Sequence, residues 1–168
     1  MACGTGKTLT CYWIHKYLKS KKTLILVPSL NLISQTIREW YRASNKSFYS
    51  LSICSDPSTV KNIKEDEIAL DPSEIPYSIS WDINEIKSFF QKRDPTVIFA
   101  TYQSSRLIKK AQESLKKHKF DLVIADEAHK CVGNLKSDFA TILDDNKIRS
   151  KKKLFTTATP KVFSKNIL

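Results

Sequence analysis

Apolar and polar positions follow two different rhythms along this chain. Residues 23–27 (TLILV), 96–100 (TVIFA) and 121–125 (DLVIA) are short runs that are apolar almost throughout. Such runs fit strands buried on both faces, as in a parallel sheet. Residues 49–54 and 154–157 are two further strand candidates, the second entered from the basic run 149–153. Amphipathic stretches lie between them. Within residues 30–43, Leu30, Ile33, Ile37, Trp40 and Tyr41 follow helical spacing. Residues 7–18, 82–93 and 103–117 also read as helices. Asp82 is placed to cap the second of these, with Glu85 at the capping-box position. Residues 55–81 are polar and carry Pro57, Pro72 and Pro76, which predicts an excursion with weak structure. Alternating strands and helices predict an α/β fold, a mostly parallel sheet flanked by helices. Ligands on such sheets bind beyond the carboxyl ends of the strands.

Composition narrows the class. A chain of 168 residues can bury one domain core. No apolar run approaches the roughly 20 residues of a membrane-spanning helix, so no membrane role is expected. Gly4, Gly6 and Lys7 stand where the apolar region of a signal peptide would lie. Cys3, Cys11, Cys54 and Cys131 form no C-x-x-C pair, and neither His15 nor His129 has zinc-site spacing. Scattered single cysteines suit a reducing, cytoplasmic compartment. Trp13, Trp40 and Trp81 read as core or half-buried packing.

The net charge is +11, with clusters at residues 19–22, 116–119 and 149–153. One reading is a phosphate-rich partner. The other is a lysine-rich composition spread over a solvated surface.

Candidate chemistry follows the strand ends. Residues 1–8 read MACGTGKT. A phosphate-binding loop needs glycines, so that backbone N–H groups can surround phosphate oxygens. It also needs a lysine for the β/γ-phosphates and a hydroxyl for Mg²⁺. Gly4, Thr5, Gly6, Lys7 and Thr8 supply that set, although Met1 stands where the strict pattern has Gly. Asp126 and Glu127 follow the strand DLVIA directly. One carboxylate there can hold Mg²⁺, and its neighbour can activate water. Acids at a strand end can also simply cap the next helix. The lysine and the acid pair, each at a strand–helix junction, together point to nucleotide binding.

GTGKT, DEAH (residues 126–129) and TATP (residues 157–160), in that order, resemble motifs I, II and III of superfamily 2 helicases. VPSL with Gln35 is similar to motif Ia, and TYQS at residues 101–104 to motif Ib. The wording is most similar to restriction-enzyme-type helicases, in which Met or Ala often stands at the first loop position. The resemblance implies a RecA-like P-loop NTPase domain using ATP and Mg²⁺. It implies that Lys7 and Thr8 bind phosphate and Mg²⁺, that Asp126 holds Mg²⁺ and that Glu127 activates water. His129, Thr157 and Thr159 would couple nucleotide state to nucleic acid, DNA more than RNA. Pro28, Ser29, Thr101, Tyr102 and Gln103 would lie along the sugar–phosphate backbone. Such contacts set affinity and track, not sequence.

The chain begins inside motif I and ends soon after motif III. Residues 1–168 are therefore expected to be a partial ATP-binding domain, with the first strand missing and the second RecA-like domain absent. Two other readings stand beside the motor. One is a truncated remnant that binds nucleic acid without turning over ATP. The other is a different class of P-loop NTPase, although the nearest string to a guanine-recognition N-K-x-D, at residues 45–48, lacks the Asp.

Overall fold

A computed structural model describes residues 6–44, 48–54, 78–93, 95–115, 118–128 and 138–158. In chain order these form α1 (Lys7–Tyr17), β1 (Lys22–Val27), α2 (Leu30–Ala43), β2 (Tyr49–Ile53), β3 (Ser78–Ser80), α3 (Ile83–Phe90), β4 (Thr96–Thr101), α4 (Ser105–Ser114), β5 (Phe120–Ala125) and β6 (Ser150–Phe155). Short 3₁₀ turns occupy Tyr102–Ser104 and Asp138–Leu143. The strands form one sheet in the order β3-β2-β4-β1-β5-β6. All five strand pairs are parallel. No helix among the described residues is long and apolar enough to cross a membrane.

The apolar runs become strands because alternate side chains enter two separate cores. Leu24, Leu26, Ile98, Ala100, Val123 and Ala125 pack on one side with Ile86, Phe89 and Phe90 of α3 and Ile108 of α4. Ile25, Val27, Val97, Phe99, Leu122 and Ile124 pack on the other with Cys11 and Tyr12 of α1 and Ile33, Ile37 and Trp40 of α2. Each such side chain contributes about 1.5–3 kcal/mol on burial. Trp40 is the centre of the second core, with ring contacts to Tyr12, His15, Phe48 and Phe99 at 5.1–6.3 Å. Asp82 caps α3 as its position predicts, accepting the Asn84 N–H at 2.9 Å.

Four expectations are corrected. Residues 78–80 lie in the stretch read as weakly structured, yet they pair with β2 as β3. The basic run 149–153 does not lead into the last strand; from Ser150 it is that strand. Lysines are tolerated there because β6 is an edge of the sheet among the described residues, with Lys151 and Lys152 exposed. The helix expected from Gln103 opens as a 3₁₀ turn and becomes α-helical only at Ser105. Trp13 and Trp81 are 60% and 53% exposed, so only Trp40 is core.

Gln112 ties β6 to α4. Its buried amide accepts from Arg149 N–H and donates to Arg149 C=O, both at 3.0 Å, as a neighbouring strand would. The Arg149 guanidinium returns to the Gln112 and Leu115 carbonyls at the end of α4.

Two histidines, His15 buried and His118 half-buried, are held neutral. His15 Nδ1 shares a 2.8 Å hydrogen bond with the Thr23 hydroxyl. Burial, then Lys16, pushes its pKa down to about 4. His118 is stacked on Phe90 at 4.3 Å. Burial, then Lys22 and Arg149, pushes it to about 4 as well, against a raising pull from Asp121. Both folded values lie below the unfolded 6.5, so the unfolded chain binds protons first as pH falls. Stability is therefore full above pH 6.5 and declines from 6.5 towards 4. For His15 the loss across that window is on the order of 3 kcal/mol at most. Thermal unfolding should show a clearly lower midpoint near pH 5 than at neutrality, and His15→Gln should flatten that dependence.

Candidate active site

Helix α1 starts at the carboxyl ends of the strands, where Lys7 meets the turn after β5. Gly6 precedes the helix with φ 75° and ψ 25°, the left-handed region. A Cβ at Gly6 would meet nothing within 4 Å. Glycine is needed there for backbone conformation, not for space, and a residue with a Cβ would cost about 1–2 kcal/mol. The helix has neither a side-chain cap nor an acid in its first turn. Its positive end therefore suits an anion. Gly4 and Thr5 lie outside the described residues.

Strand β5 carries the acids, and three strand ends are laced together there. Asp126 N–H donates to Leu26 C=O at 2.9 Å, Thr156 N–H to Ala125 C=O at 2.9 Å, and Ala128 N–H to Thr156 C=O at 2.8 Å. Asp126 Oδ1 accepts from the Thr156 hydroxyl at 2.7 Å and from Glu127 N–H at 3.0 Å, which orients the carboxylate. Glu127 has φ 52°, a left-handed conformation rare for a residue with a side chain.

Lys7 and Glu127 meet directly. Lys7 Nζ donates to Glu127 Oε1 at 2.6 Å, joining residues 120 positions apart. Their side chains are 11% and 21% exposed, so the pair is partly withdrawn from water. Thr8 and Asp126 line one narrow cleft with Cys11 and Thr36, floored by Ile25, Val27 and Ile124. The Cys11 thiol is pushed up to about 12, by burial and then by Asp126. It stays protonated and is not a nucleophile.

The expected nucleic-acid residues divide. Ser29 and Gln103 are exposed and Pro28 is half-buried at the same end of the sheet. Thr101 and Tyr102 have buried side chains that face the protein. Thr101 shares a 2.8 Å hydrogen bond with Ser104. Tyr102, fully buried, donates its hydroxyl to Asp126 C=O at 2.7 Å. It therefore supports the acid-bearing turn. Thr157 is half-buried beside Thr156, while His129 and Thr159 lie outside the described residues. Sequence reading missed Thr156 and Tyr102 as supports of Asp126. The only available signal was their adjacency to motifs.

Tyr102→Phe keeps the ring and removes the hydroxyl that serves Asp126. It should cost about 1–2 kcal/mol in urea unfolding. An unchanged midpoint would mean that the bond carries no net weight.

Comparison with known proteins agrees with this geometry. The family model for the type III restriction enzyme res subunit matches residues 1–162. Probable helicase A859L of African swine fever virus (isolate Tick/South Africa/Pretoriuskop Pr4/1996) is 32% identical over 162 residues, covering 96% of this chain. The chain spans 16% of that viral relative's length. Two solved structures are also similar. A nuclease-deletion mutant of the Type ISP restriction-modification enzyme LlaGI, in complex with a DNA substrate mimic, is 31% identical with a TM-score of 0.73, covering 97% of this chain and 15% of that one. The ATP-dependent Type ISP restriction-modification enzyme LlaBIII, bound to DNA, is 30% identical with a TM-score of 0.74, covering 96% and 11%. A match along nearly the whole chain, on a parallel sheet whose strand ends bring a loop lysine against paired acids, places this chain in the type III restriction enzyme res subunit family, with a helicase RecA-like fold.

Proposed function

We propose that this chain is the ATP-binding and hydrolysing module of a DNA helicase or translocase of the restriction–modification type. The observation that carries the reading is the 2.6 Å pair between Lys7 and Glu127, which joins the glycine loop to the acid turn. The donor set fits Mg-ATP. Lys7 and the open start of α1 suit the phosphates, with the left-handed Gly6 turning the loop towards them. Thr8 and Asp126 would hold Mg²⁺. Among the described residues no three His, Cys, Asp or Glu form a metal cage. That suits Mg²⁺, which is usually held by one or two protein oxygens together with phosphate and water.

Mg-ATP supplies the phosphoryl group whose transfer to water drives a motor of this kind. Lys7 exchanges Glu127 for phosphate when nucleotide enters. Glu127, released, orients and deprotonates the attacking water. Asp126 keeps its direction through Thr156, and the Thr156–Thr157 segment passes the change on towards bound nucleic acid. His129 and Thr159 belong to the same coupling role. DNA would lie across the carboxyl ends of the strands, over Pro28, Ser29 and Gln103. Support for DNA comes from the two Type ISP enzymes, both described with DNA. The reading includes a second RecA-like domain in the parent protein, closing over the nucleotide, and a cytoplasmic setting.

The test is thermal unfolding with and without Mg-ATP, joined to an ATPase assay with DNA. A ligand at 100-fold over its Kd adds roughly 2.7 kcal/mol of stability. Wild type should show that rise, and Lys7→Ala should lose it. Glu127→Gln should keep the rise and lose turnover by two orders of magnitude or more, on the order of a missing general base. No rise in wild type would favour the remnant that binds nucleic acid without ATP.

A further inference from the structure

We infer that the amino-end edge of the sheet, opposite the proposed ATP site, is a second contact surface for the phosphate backbone of a nucleic acid. The three basic clusters of the sequence are far apart along the chain, but the fold places their described members, Lys119 among them, at neighbouring strand entries. Each lies where the chain re-enters the sheet from a helix or loop. Lys19, Lys21 and Lys22 precede or open β1, Lys119 precedes β5, and Lys151 and Lys152 open β6. Lys92 and Arg93 precede β4 at the same edge. In the strand order these come as β4, β1, β5, β6, which are immediate neighbours.

Hydrogen bonds establish the juxtaposition. The Lys22 ammonium donates to Lys92 C=O. Lys21 and Lys22 N–H groups both donate to Asp121 Oδ2 at 2.9 Å. Lys151 Nζ donates to Asp121 Oδ1 at 2.7 Å. Asp145, in the loop before β6, pairs with Lys153 at 2.6 Å, and Asp121 is bonded by the band itself. Burial pushes its pKa up, but the bonds from Lys151, Lys22 and Lys21 outweigh that and hold it below the ordinary value. The positive field of Lys22 and Arg149 also adds to burial in depressing His118.

Geometry and composition favour a phosphate backbone over an acidic protein. Four adjacent strands span about 14 Å, at roughly 4.8 Å per step. That is room for a few phosphates of one backbone, whose charges come every 3.4 Å or so of helix axis per strand. Lys19, Lys21, Lys92, Arg93, Lys119, Lys151 and Lys152 are all exposed. Two large aromatic side chains are exposed near this edge, Tyr49 at 51% and Tyr17 at 86%, and Lys92 lies over the Tyr49 ring at 4.5 Å. A protein interface would need apolar anchors at its centre.

The experiment measures binding of a short labelled DNA duplex by fluorescence anisotropy, without ATP, across a salt series. Lys21→Gln, Lys119→Gln and Lys152→Gln are combined in one variant. It should bind at least about tenfold more weakly, with a log-affinity against log-salt slope shallower by about 0.9 for each phosphate no longer neutralised. Replacing the same three by Arg should restore affinity, which guards against a folding defect in the Gln variant. A control, Lys87→Gln with Lys109→Gln and Lys110→Gln on α3 and α4, should bind as wild type. Binding is read without ATP, so this surface and the ATP reading can fail separately. The inference is overturned if the band variant binds as tightly as wild type, or if the control variant is weakened as much. It is likewise overturned if polyglutamate binds while the duplex does not, which would make the band an acidic-protein surface.

Discussion

Everything in this molecule depends on β1 being paired on both sides. Its registers with β4 and β5 satisfy its backbone in the middle of the sheet, and Leu24, Ile25, Leu26 and Val27 fill two cores at once. A parallel sheet with both faces covered leaves no water for a backbone group or a charge along its length. Polar chemistry is pressed to the two ends of the strands. At the carboxyl ends β1, β5 and β6 are laced by Leu26, Ala125, Asp126 and Thr156, and the acids stand on that lacing. At the amino ends Asp121 clamps the entries of β1 and β6.

Most of the fold was legible because burial on both faces leaves an unmistakable signature. TLILV, TVIFA and DLVIA have no polar position in their middles, and each became a central strand. The edges were harder. An edge strand needs only backbone pairing, so β6 could be written in lysines and β3 in serine-flanked isoleucine without an apolar run to announce it. The site was legible as residue types at junctions, since Lys7, Asp126 and Glu127 sit where the strand-end rule puts them. The supports of those residues were not. Tyr102 lies in a motif that suggests an outward role, and only the fold turns its hydroxyl inward to Asp126. Nothing in the order of residues distinguishes a tyrosine that meets a ligand from one that holds a turn.

The Lys7–Glu127 pair has an energetic consequence. Exposed ion pairs contribute about 0–1 kcal/mol, but this one is partly removed from water and its Coulomb energy is less screened. Glu127 also holds a left-handed backbone, at a cost of about 1–2 kcal/mol. Part of what the pair gains is therefore offset by the turn that presents it. On the proposed reading, phosphate must displace a carboxylate from Lys7. That trade favours a ligand of higher charge, such as a triphosphate, over a weak anion. It also ties release of Glu127 to the arrival of nucleotide, so that the base is uncovered only when it has a substrate.

Charge dispersed along a sequence need not be dispersed in space. In a parallel sheet with helical crossovers every return loop comes back to the same edge. A preference for lysine in the loops before β1, β4, β5 and β6 therefore accumulates into one band. This is why the sequence left two readings of the +11 charge standing, a phosphate-rich partner or a merely solvated surface. Exposed cations also stand on the helices, at Lys16, Arg42, Arg106 and Lys110, but on three separate elements. The described fold lines seven exposed cations along four neighbouring strand entries, with Asp121 between them already bonded. Lining up like charges has a repulsive cost, which a counter-charge of matching length relieves. A phosphate backbone provides it.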